Sequence, residues 1–359
     1  MKERIEKYEQ YLDLKKLYDE KQKQEPIYLN VLGSAELDYK IYPGVSVIAG
    51  ITGSGKSMFA NSIAYDAVVK GLNVLYITLE VSKENTFYQM ISQYSLDYAE
   101  NEGQMIVHSD IKAGSLSDYQ IDLAFNKYYE GFKNLPGNLH VLEEWDFDTT
   151  DPKSLIGRMI EVEDYSIEHS GRGIDLIIVD YIQLFKRFEG GSNSSEYEII
   201  SQWVNFFRQM SLVYLRTPKA TRKMPIILVS QLNRDAWKEK LAIDIQNAKN
   251  NCKPENKRNK VREFTIDISQ IAGCAEIVKA ASQVFAIYSD EGLKASNQCQ
   301  IFHLKNRDGE TRVEPLPTYM NPKYYHIGKT RKLYDEDYNG ILDDILGINM
   351  SLDVIEKSE

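Results

Sequence analysis

The stretch GITGSGKS (50–57) lies between the apolar run VSVIAG (45–50) and the helix-like segment SMFANSIAYDAVVKG (57–71). In such a loop, glycines let backbone N–H groups turn towards a phosphate, the lysine reaches the β- and γ-phosphate oxygens, and the serine hydroxyl binds magnesium. A Gly-rich turn without a ligand is the alternative, but the flanking strand and helix patterns favour the phosphate loop. The sequence therefore predicts that ATP and Mg²⁺ bind here, with the contacts made by Gly50, Thr52, Gly53, Ser54, Gly55, Lys56 and Ser57.

The composition is that of an ordinary soluble globular chain, with 359 residues of which 43% are hydrophobic and 27% charged. It contains no uncharged apolar run of about 18 residues, and its first residues are charged where a signal peptide would be apolar. The three cysteines (Cys252, Cys274 and Cys299) are far apart, with no spacing typical of a zinc site or a disulfide framework. We therefore expect an intracellular protein without a membrane partner.

The net charge of −10 argues against a surface that coats nucleic acid, but it leaves room for a local basic channel. Part of the acidic excess lies in the tail 331–359, which is either a docking helix or a solvated end. The charged arm 1–27 has apolar residues along one helical stripe, so it is either a peripheral helix or an arm that holds a neighbouring subunit.

Near-continuous apolar runs alternate with helical patterns from residue 45 onward. Such strands are typical of a mainly parallel sheet covered by helices on both faces, so the sequence predicts an α/β fold with one domain over residues 28–330. The helix predicted in TTDPKSLIGRMIEVEDYSIEH (149–169) begins after Thr150 or Asp151, with Pro152 in its first turn. The further predicted strands are NVLYITLE (73–80), NLHVLEEW (138–145), DLIIVDYIQLF (175–185), PIILVSQL (225–232), QVFAIYSD (283–290) and CQIFHLKNR (299–307).

Two carboxylates follow predicted strands. Asp180 ends LIIVD and is placed to hold magnesium through water, as a Walker-B acid does. It is followed by Tyr181 and not by the glutamate that activates water in AAA+ enzymes. Glu80 ends YITLE, where a carboxylate beside the phosphates can orient and deprotonate the attacking water. This arrangement is typical of RecA-like ATPases.

Four segments together resemble a known family. YITLEVSKE (76–84), DLIIVDYIQLF (175–185), PIILVSQLNRDA (225–236) and HLKNRDGET (303–311) occur in the order, and nearly the wording, of the motifs in the C-terminal domain of DnaB-type replicative helicases. The resemblance spans about residues 40–315. It implies a RecA-like ATPase that forms a six-membered ring on single-stranded DNA, unwinds duplex DNA for replication, and works with a helicase loader or primase in a bacterial or phage-infected cell.

The resemblance also assigns roles to residues. It makes Lys56 and Ser57 the phosphate and magnesium ligands, Glu80 the catalytic base and Asp180 the Walker-B acid. Gln231 resembles the sensor of the γ-phosphate. Lys305 and Arg307, two residues apart on a strand and so on one face, resemble the pair that reaches into the neighbouring subunit's nucleotide.

The family's DNA-binding loops correspond here to two basic segments. Their candidate phosphate contacts are Lys186 and Arg187 after the Walker-B strand, and Lys257 and Arg258 in a long insertion after the sensor strand. A solvated charge cluster is the alternative for both. Departures from the family pattern include Ser282 in place of an expected aspartate and the absence of an N-terminal domain before the ATPase.

Three other functions compete with the helicase interpretation. A recombination ATPase of the RecA or RadA kind shares the fold and Glu80, but lacks the DYIQL motif and the paired Lys305 and Arg307. An accessory ATPase that hydrolyses ATP without unwinding remains open. A small-molecule kinase is disfavoured, because no substrate lid or acceptor base is recognisable.

Overall fold

The computed structural model describes residues 39–187, 195–212, 214–217, 220–233, 264–271, 275–307, 309–311 and 315–328, with residues 27–29 and single positions among 15–19 and 236–246. Most of the predicted arm, the whole acidic tail, and Lys257 and Arg258 lie outside these residues.

Seven of the thirteen strands in the described residues fall in the apolar runs predicted from the sequence, and the other six were not predicted. In chain order they are β1 (Ile27–Leu29), β2 (Tyr39–Ile41), β3 (Gly44–Gly50), β4 (Val74–Thr78), β5 (Leu139–Glu143), β6 (Leu176–Asp180), β7 (Tyr214–Thr217), β8 (Ala220–Arg222), β9 (Pro225–Gln231), β10 (Gln283–Tyr288), β11 (Gln298–Asn306), β12 (Leu316–Asn321) and β13 (His326–Ile327).

Nine of these strands form one sheet in the order β13-β12-β11-β10-β3-β9-β6-β4-β5. The six strands from β10 to β5 are parallel, whereas β11, β12 and β13 continue the sheet in antiparallel fashion. Because parallel neighbours all end at the same edge, the carboxyl ends of β3, β9, β6 and β4 lie side by side. The predicted α/β fold with a mainly parallel sheet is confirmed.

The helices are α1 (Lys56–Val69), α2 (Lys83–Tyr98), α3 (His108–Ala113), α4 (Asp118–Ile121), a π-helical segment (Asp122–Tyr129), α5 (Glu130–Lys133), α6 (Pro152–Ser170), α7 (Glu196–Leu212), α8 (Ala275–Ala280) and α9 (Glu291–Ala295). Short 3₁₀ turns include Ile182–Leu184 and Pro322–Tyr324. Within the described residues, none of these helices is both long and apolar enough to cross a membrane.

The sheet is buried on both faces, and β3 shows how. Alternate side chains of a strand point to opposite faces, so Val47 and Ala49 join the core under α6, α7 and α8, which includes Trp203. Ile48 joins the other core, under α1, with Phe59. All seven residues of β3 are buried, which explains why its sequence is an uninterrupted run of apolar and small residues.

The helix predicted in 149–169 is α6, and its start follows local chemistry. Asp151 accepts a hydrogen bond from the backbone N–H of Lys153, and Pro152 occupies the first helical position, where its missing N–H costs nothing. The cap is therefore Asp151 and not Thr150.

A helical insertion between β4 and β5, from α2 to α5, was not predicted from the sequence. It has a small core of its own, which includes Ile91, Ile111 and Tyr128. The insertion packs beside α1, where the Tyr65 hydroxyl donates a hydrogen bond to Asp97 at 2.9 Å.

Candidate active site

The phosphate loop connects β3 to α1. Gly53 and Gly55 have φ values of 78° and 100°, in the left-handed region that glycine adopts without steric cost. A side chain at Gly55 would also meet Met320 and Ile327, each at 3.1 Å from the added Cβ. The loop therefore delivers the first N–H groups of α1, which lack partners within the helix, to one point at the edge of the sheet.

Lys56 is buried at the start of α1. Its ammonium donates a hydrogen bond across the loop to the carbonyl oxygen of Ile51 at 2.9 Å. Burial lowers the pKa of Lys56 to about 8, and the nearby carboxylates of Asp180 and Glu80 partly offset this effect. A buried cation at the start of a helix is suited to a phosphate group.

Ser57 and Asp180 are in direct contact. The Ser57 hydroxyl donates to Oδ1 of Asp180 at 3.1 Å, and the hydroxyl of Tyr76 donates to Oδ2 at 3.0 Å. Burial raises the pKa of Asp180 to about 6, although both hydrogen bonds oppose the rise. The residues expected to hold magnesium are thus already paired.

Glu80 lies two residues beyond the end of β4 and is exposed to solvent. In the sheet Thr78 is paired with Asp180, and the N–H of Leu79 donates to the Asp180 carbonyl oxygen at 2.9 Å. Glu80 is near enough to influence the pKa values of both Lys56 and Asp180. Its carboxylate therefore stands on the solvent side of the site, where a water molecule can approach.

Gln231 is the last residue of β9, the strand between β3 and β6. It is paired with Gly50, the first residue of the loop, and its side chain lies near the Tyr181 hydroxyl, where it opposes the rise in pKa that burial causes. Through these two contacts Gln231 joins the phosphate-loop strand to the residue that follows Asp180. The peptide bond between Asp180 and Tyr181 is cis.

Lys305 and Arg307 are not brought to this site. Strand β11 runs antiparallel to β10, and Lys305 is opposite Val284, near the start of β10, whereas the end of β10 pairs with Gly50. Lys305 Nζ donates to the carbonyl oxygen of Val278 at 2.5 Å, and Arg307 donates to that of Lys279. Both side chains therefore lie at the amino edge of the sheet, opposite their own phosphate loop.

Lys186 and Arg187 follow the turn Ile182–Leu184, at the same edge as Asp180, and both are exposed. Lys186 forms an ion pair with Glu144 at 2.6 Å. The structure therefore leaves these two basic residues on the surface beside the candidate site.

Sequence reasoning missed three side chains around the site. Tyr76 lies within the run VLYIT, where a tyrosine indicates only a strand former. Lys294 donates from α9 to the Gly53 carbonyl oxygen at 2.8 Å. Tyr325, in the turn before β13, lies near Asp180 and Glu80. Tyr76 begins the segment YITLEVSKE, but nothing local to that segment indicates a bond to a distant carboxylate, and Lys294 and Tyr325 lie outside the four quoted segments.

The residues present fit a magnesium nucleotide. The Ser57 hydroxyl and the Asp180 carboxylate are the hard oxygen donors that Mg²⁺ prefers. The Ser54 hydroxyl is buried in the loop, and no described residue forms a hydrogen bond with it. A side chain added to Gly53 would meet no atom within 4 Å, so the loop is open on that side.

The chain is similar to known proteins in its sequence family and in its fold. A sequence model of the DnaB-like helicase C terminal domain matches residues 42–321. No curated protein sequence matches the chain. One similar solved structure is described as a DnaB-like replicative helicase and its interactions with primase, with a TM-score of 0.60 at 17% identity over 88% of this chain and 65% of that one.

A second similar structure is described as an ATPase domain, with a TM-score of 0.59 at 18% identity over 88% of this chain and 97% of that one. At such identities the likeness shows the fold. The chain spans less than two thirds of the first structure, at 65%, and nearly all of the second.

Proposed function

The chain belongs to the DnaB-like helicase C-terminal domain family, and we propose that it is an ATP-driven DNA helicase. In this proposal it moves along single-stranded DNA as a ring of identical subunits, most simply a hexamer. The proposal rests on one observation: the predicted site residues lie in two groups at opposite edges of the sheet. Lys56, Ser57, Asp180 and Glu80 share one edge of the sheet, and Lys305 and Arg307 lie at the other.

The first edge supports ATP hydrolysis. The loop N–H groups and Lys56 bind the β- and γ-phosphates, while Ser57 and Asp180 hold the metal. The chemistry that bound Mg²⁺ supplies is neutralisation of charge on the β- and γ-oxygens. Glu80, on the solvent side, orients the attacking water and accepts its proton as water adds to the γ-phosphorus and the bond to the leaving oxygen breaks.

The second edge supports completion of the site in trans. Arg307 cannot serve its own loop, because a whole strand length separates the two edges. In the proposed assembly Lys305 and Arg307 leave the carbonyl oxygens of Val278 and Lys279. They then contact the γ-phosphate of the nucleotide bound to the neighbouring subunit. An arginine supplied in this way contributes about 10³- to 10⁵-fold to the rate.

The position of Gln231 supports a coupling between ATP hydrolysis and the binding of DNA. It is placed between the loop at Gly50 and Tyr181, and the chain after Tyr181 leads within a few residues to Lys186 and Arg187. We propose that loss of the γ-phosphate is passed along this path to the two basic residues, which contact the DNA backbone. A primase or a helicase loader is the further partner that this function would require.

The direct test measures ATP hydrolysis, with and without single-stranded DNA, and unwinding of forked duplexes of both polarities. Wild type, Lys56→Ala and Arg307→Ala are compared. We expect wild type to show hydrolysis that DNA stimulates and to unwind forks of one polarity. We expect neither activity from the two variants. Hydrolysis without unwinding on either fork would support the accessory ATPase instead, and filaments with strand exchange would support the recombination ATPase.

A further inference from the structure

Lys294 lies outside the phosphate loop but is bonded to it. It belongs to α9 (Glu291–Ala295), and its ammonium donates a hydrogen bond to the carbonyl oxygen of Gly53 at 2.8 Å. We propose that Lys294 is a positioning residue, which holds the loop in its nucleotide-binding form before and after Lys56 turns to the phosphates. The inference deepens the proposed ATP hydrolysis and rests on it.

The loop needs a restraint at Gly53. This glycine has a φ of 78°, and a side chain added to it would meet no atom within 4 Å. A glycine backbone adopts many conformations at little steric cost, so neither a side chain nor packing on that side confines this residue. A restraint on this part of the loop must then come from hydrogen bonds to its peptide groups.

The peptide group between Gly53 and Ser54 is held at both ends. Its carbonyl accepts from Lys294, and its N–H, which belongs to Ser54, donates to the carbonyl oxygen of Ile51 at 3.2 Å. The carbonyl and the N–H of a trans peptide point in opposite directions, so a bond that draws the carbonyl outward also aims the N–H across the loop. Lys294 thus supports the turn from Ile51 to Ser54 from outside.

The bond from Lys294 does not depend on Lys56. The Ile51 carbonyl accepts both from the N–H of Ser54 at 3.2 Å and from the ammonium of Lys56 at 2.9 Å. In the proposed function Lys56 moves to the β- and γ-phosphates, so the turn loses one of these two donors as the nucleotide binds. Lys294 bonds a different carbonyl, and its restraint therefore persists through that change.

The helix that carries Lys294 is fixed beside the loop. Strand β10 pairs Ile287 with Gly50, the first residue of the loop, and α9 follows directly after this strand. Asp290 caps α9 with one carboxylate oxygen, and its other oxygen accepts a hydrogen bond from the Tyr288 hydroxyl at 3.0 Å. The end of β10 thus holds both the strand of the phosphate loop and the start of α9.

The test measures how tightly fluorescent analogues of ATP and ADP bind to wild type, Lys294→Met and Lys294→Arg. Lys294→Met keeps the apolar stem and loses the donor, and we expect it to weaken binding about three- to tenfold, as for loss of one hydrogen bond. The loss should be equal for the two analogues, because the loop binds the β-phosphate that both carry. Lys294→Arg can still donate and should retain the wild-type affinity.

Steady-state hydrolysis separates positioning from catalysis. For Lys294→Met we expect the KM for ATP to rise by the factor by which the affinity falls. The kcat should stay near the wild-type value, because Lys294 bonds the loop and not the reacting atoms. Lys133→Met is the matched control, since Lys133 in α5 is likewise a lysine with a bonded ammonium, to Glu130 at 2.8 Å; its KM and kcat should equal those of wild type.

A second variant tests whether Lys294 acts from a fixed α9. Asp290→Ala removes the cap of the helix and the bond from Tyr288, so Lys294 is no longer held beside the loop. We expect this variant to show part of the affinity loss, and the double variant with Lys294→Met to show no further loss, because both changes act through one bond. Losses that add in full would contradict the proposal.

The outcomes separate this inference from the proposed function. Wild-type hydrolysis that Glu80→Gln abolishes establishes the function. If Lys294→Met then binds both analogues as wild type does, or if Lys294→Arg binds as weakly as Lys294→Met, the positioning role is wrong while the function stands. A loss confined to the ATP analogue would also overturn it, because Lys294 would then contact the γ-phosphate itself. A wild-type protein that does not bind or hydrolyse ATP overturns the function and the inference together.

Discussion

The hydroxyl of Ser57 and the carboxylate of Asp180 are joined by a hydrogen bond of 3.1 Å, although the two residues are 123 positions apart in the chain. The parallel pairing of the strands accounts for this contact, because β3 and β6 flank β9 and end at the same edge of the sheet. Both partners are hard oxygen ligands, so the contact marks where the metal of a magnesium nucleotide would bind.

Replacement of Ser57 by alanine should therefore weaken the binding of the metal and leave the fold intact. We expect Ser57→Ala to need about 10- to 100-fold more Mg²⁺ for half-maximal ATP hydrolysis. Ser57→Thr keeps the hydroxyl and serves as the control, with wild-type behaviour expected. A magnesium titration of hydrolysis measures both, and an unchanged midpoint for Ser57→Ala would show that this hydroxyl is not a ligand.

Asp180 should make the stability of the nucleotide-free protein depend on pH. Burial raises its pKa to about 6 from an ordinary value of 3.8. As the pH rises between these two values, the unfolded chain releases this proton more readily than the folded protein does. The free energy of unfolding therefore falls across this window and stays lowered above about pH 6.

Asp180→Asn should abolish this dependence. At pH 7.5 we expect it to raise the free energy of unfolding by roughly 2 to 3 kcal/mol, since one pKa unit corresponds to about 1.4 kcal/mol. The gain should be smaller at pH 5, where the folded wild type is largely protonated at this position. Chemical denaturation at the two pH values is the measurement; a variant less stable than wild type at pH 7.5 would contradict the burial argument.

Two inactive variants should restore each other when they assemble together. Lys56→Ala lacks a working loop but keeps Arg307, and Arg307→Ala has the opposite defect. In a random co-assembly of equal amounts, about a quarter of the interfaces combine an intact loop with an intact arginine from the neighbour. We expect co-expression to recover about that fraction of the wild-type hydrolysis rate, and no recovery at all if Arg307 acts within its own subunit.

Lys186 should contribute to DNA affinity through charge alone. We expect Lys186→Ala to weaken binding to single-stranded DNA of any sequence and to reduce the slope of log affinity against log salt by about 0.7 for each phosphate that the variant no longer neutralises. Lys133→Ala is a matched control, because Lys133 is likewise exposed and paired with a glutamate, Glu130, at 2.8 Å. Equal slopes for wild type and Lys186→Ala would exclude a role for Lys186 in binding DNA phosphates.

The sequence predicted those parts of the structure that depend on local patterns. Continuous apolar runs such as LIIVD are typical of strands covered on both faces, and parallel strands bring their carboxyl ends together. Those two rules suffice to predict that Gly50, Asp180 and Gln231 meet at one edge of the sheet. Glu80 follows from the same rules, although β4 ends two residues before it.

The remaining parts depend on contacts between distant segments. Tyr76 is 104 positions from the carboxylate it binds, and Ile327 is 265 positions from the serine that anchors its strand. The pattern within a strand or helix gives no information about such partners. Within the insertion from α2 to α5, the π-helical segment Asp122–Tyr129 departs from the helical period of 3.6 residues, so that period could not have indicated it.

The position of Arg307, across the sheet from its own phosphate loop, restricts how copies of the chain could associate. If the two edges meet between subunits as proposed, each contact joins unlike surfaces, head to tail, and a two-fold symmetric dimer cannot form it on both sides. Any assembly that fails to close then has one terminal loop without an arginine and one terminal arginine without a nucleotide. Closure alone would make every site complete, so the activity per subunit would report directly on whether the assembly is open or closed.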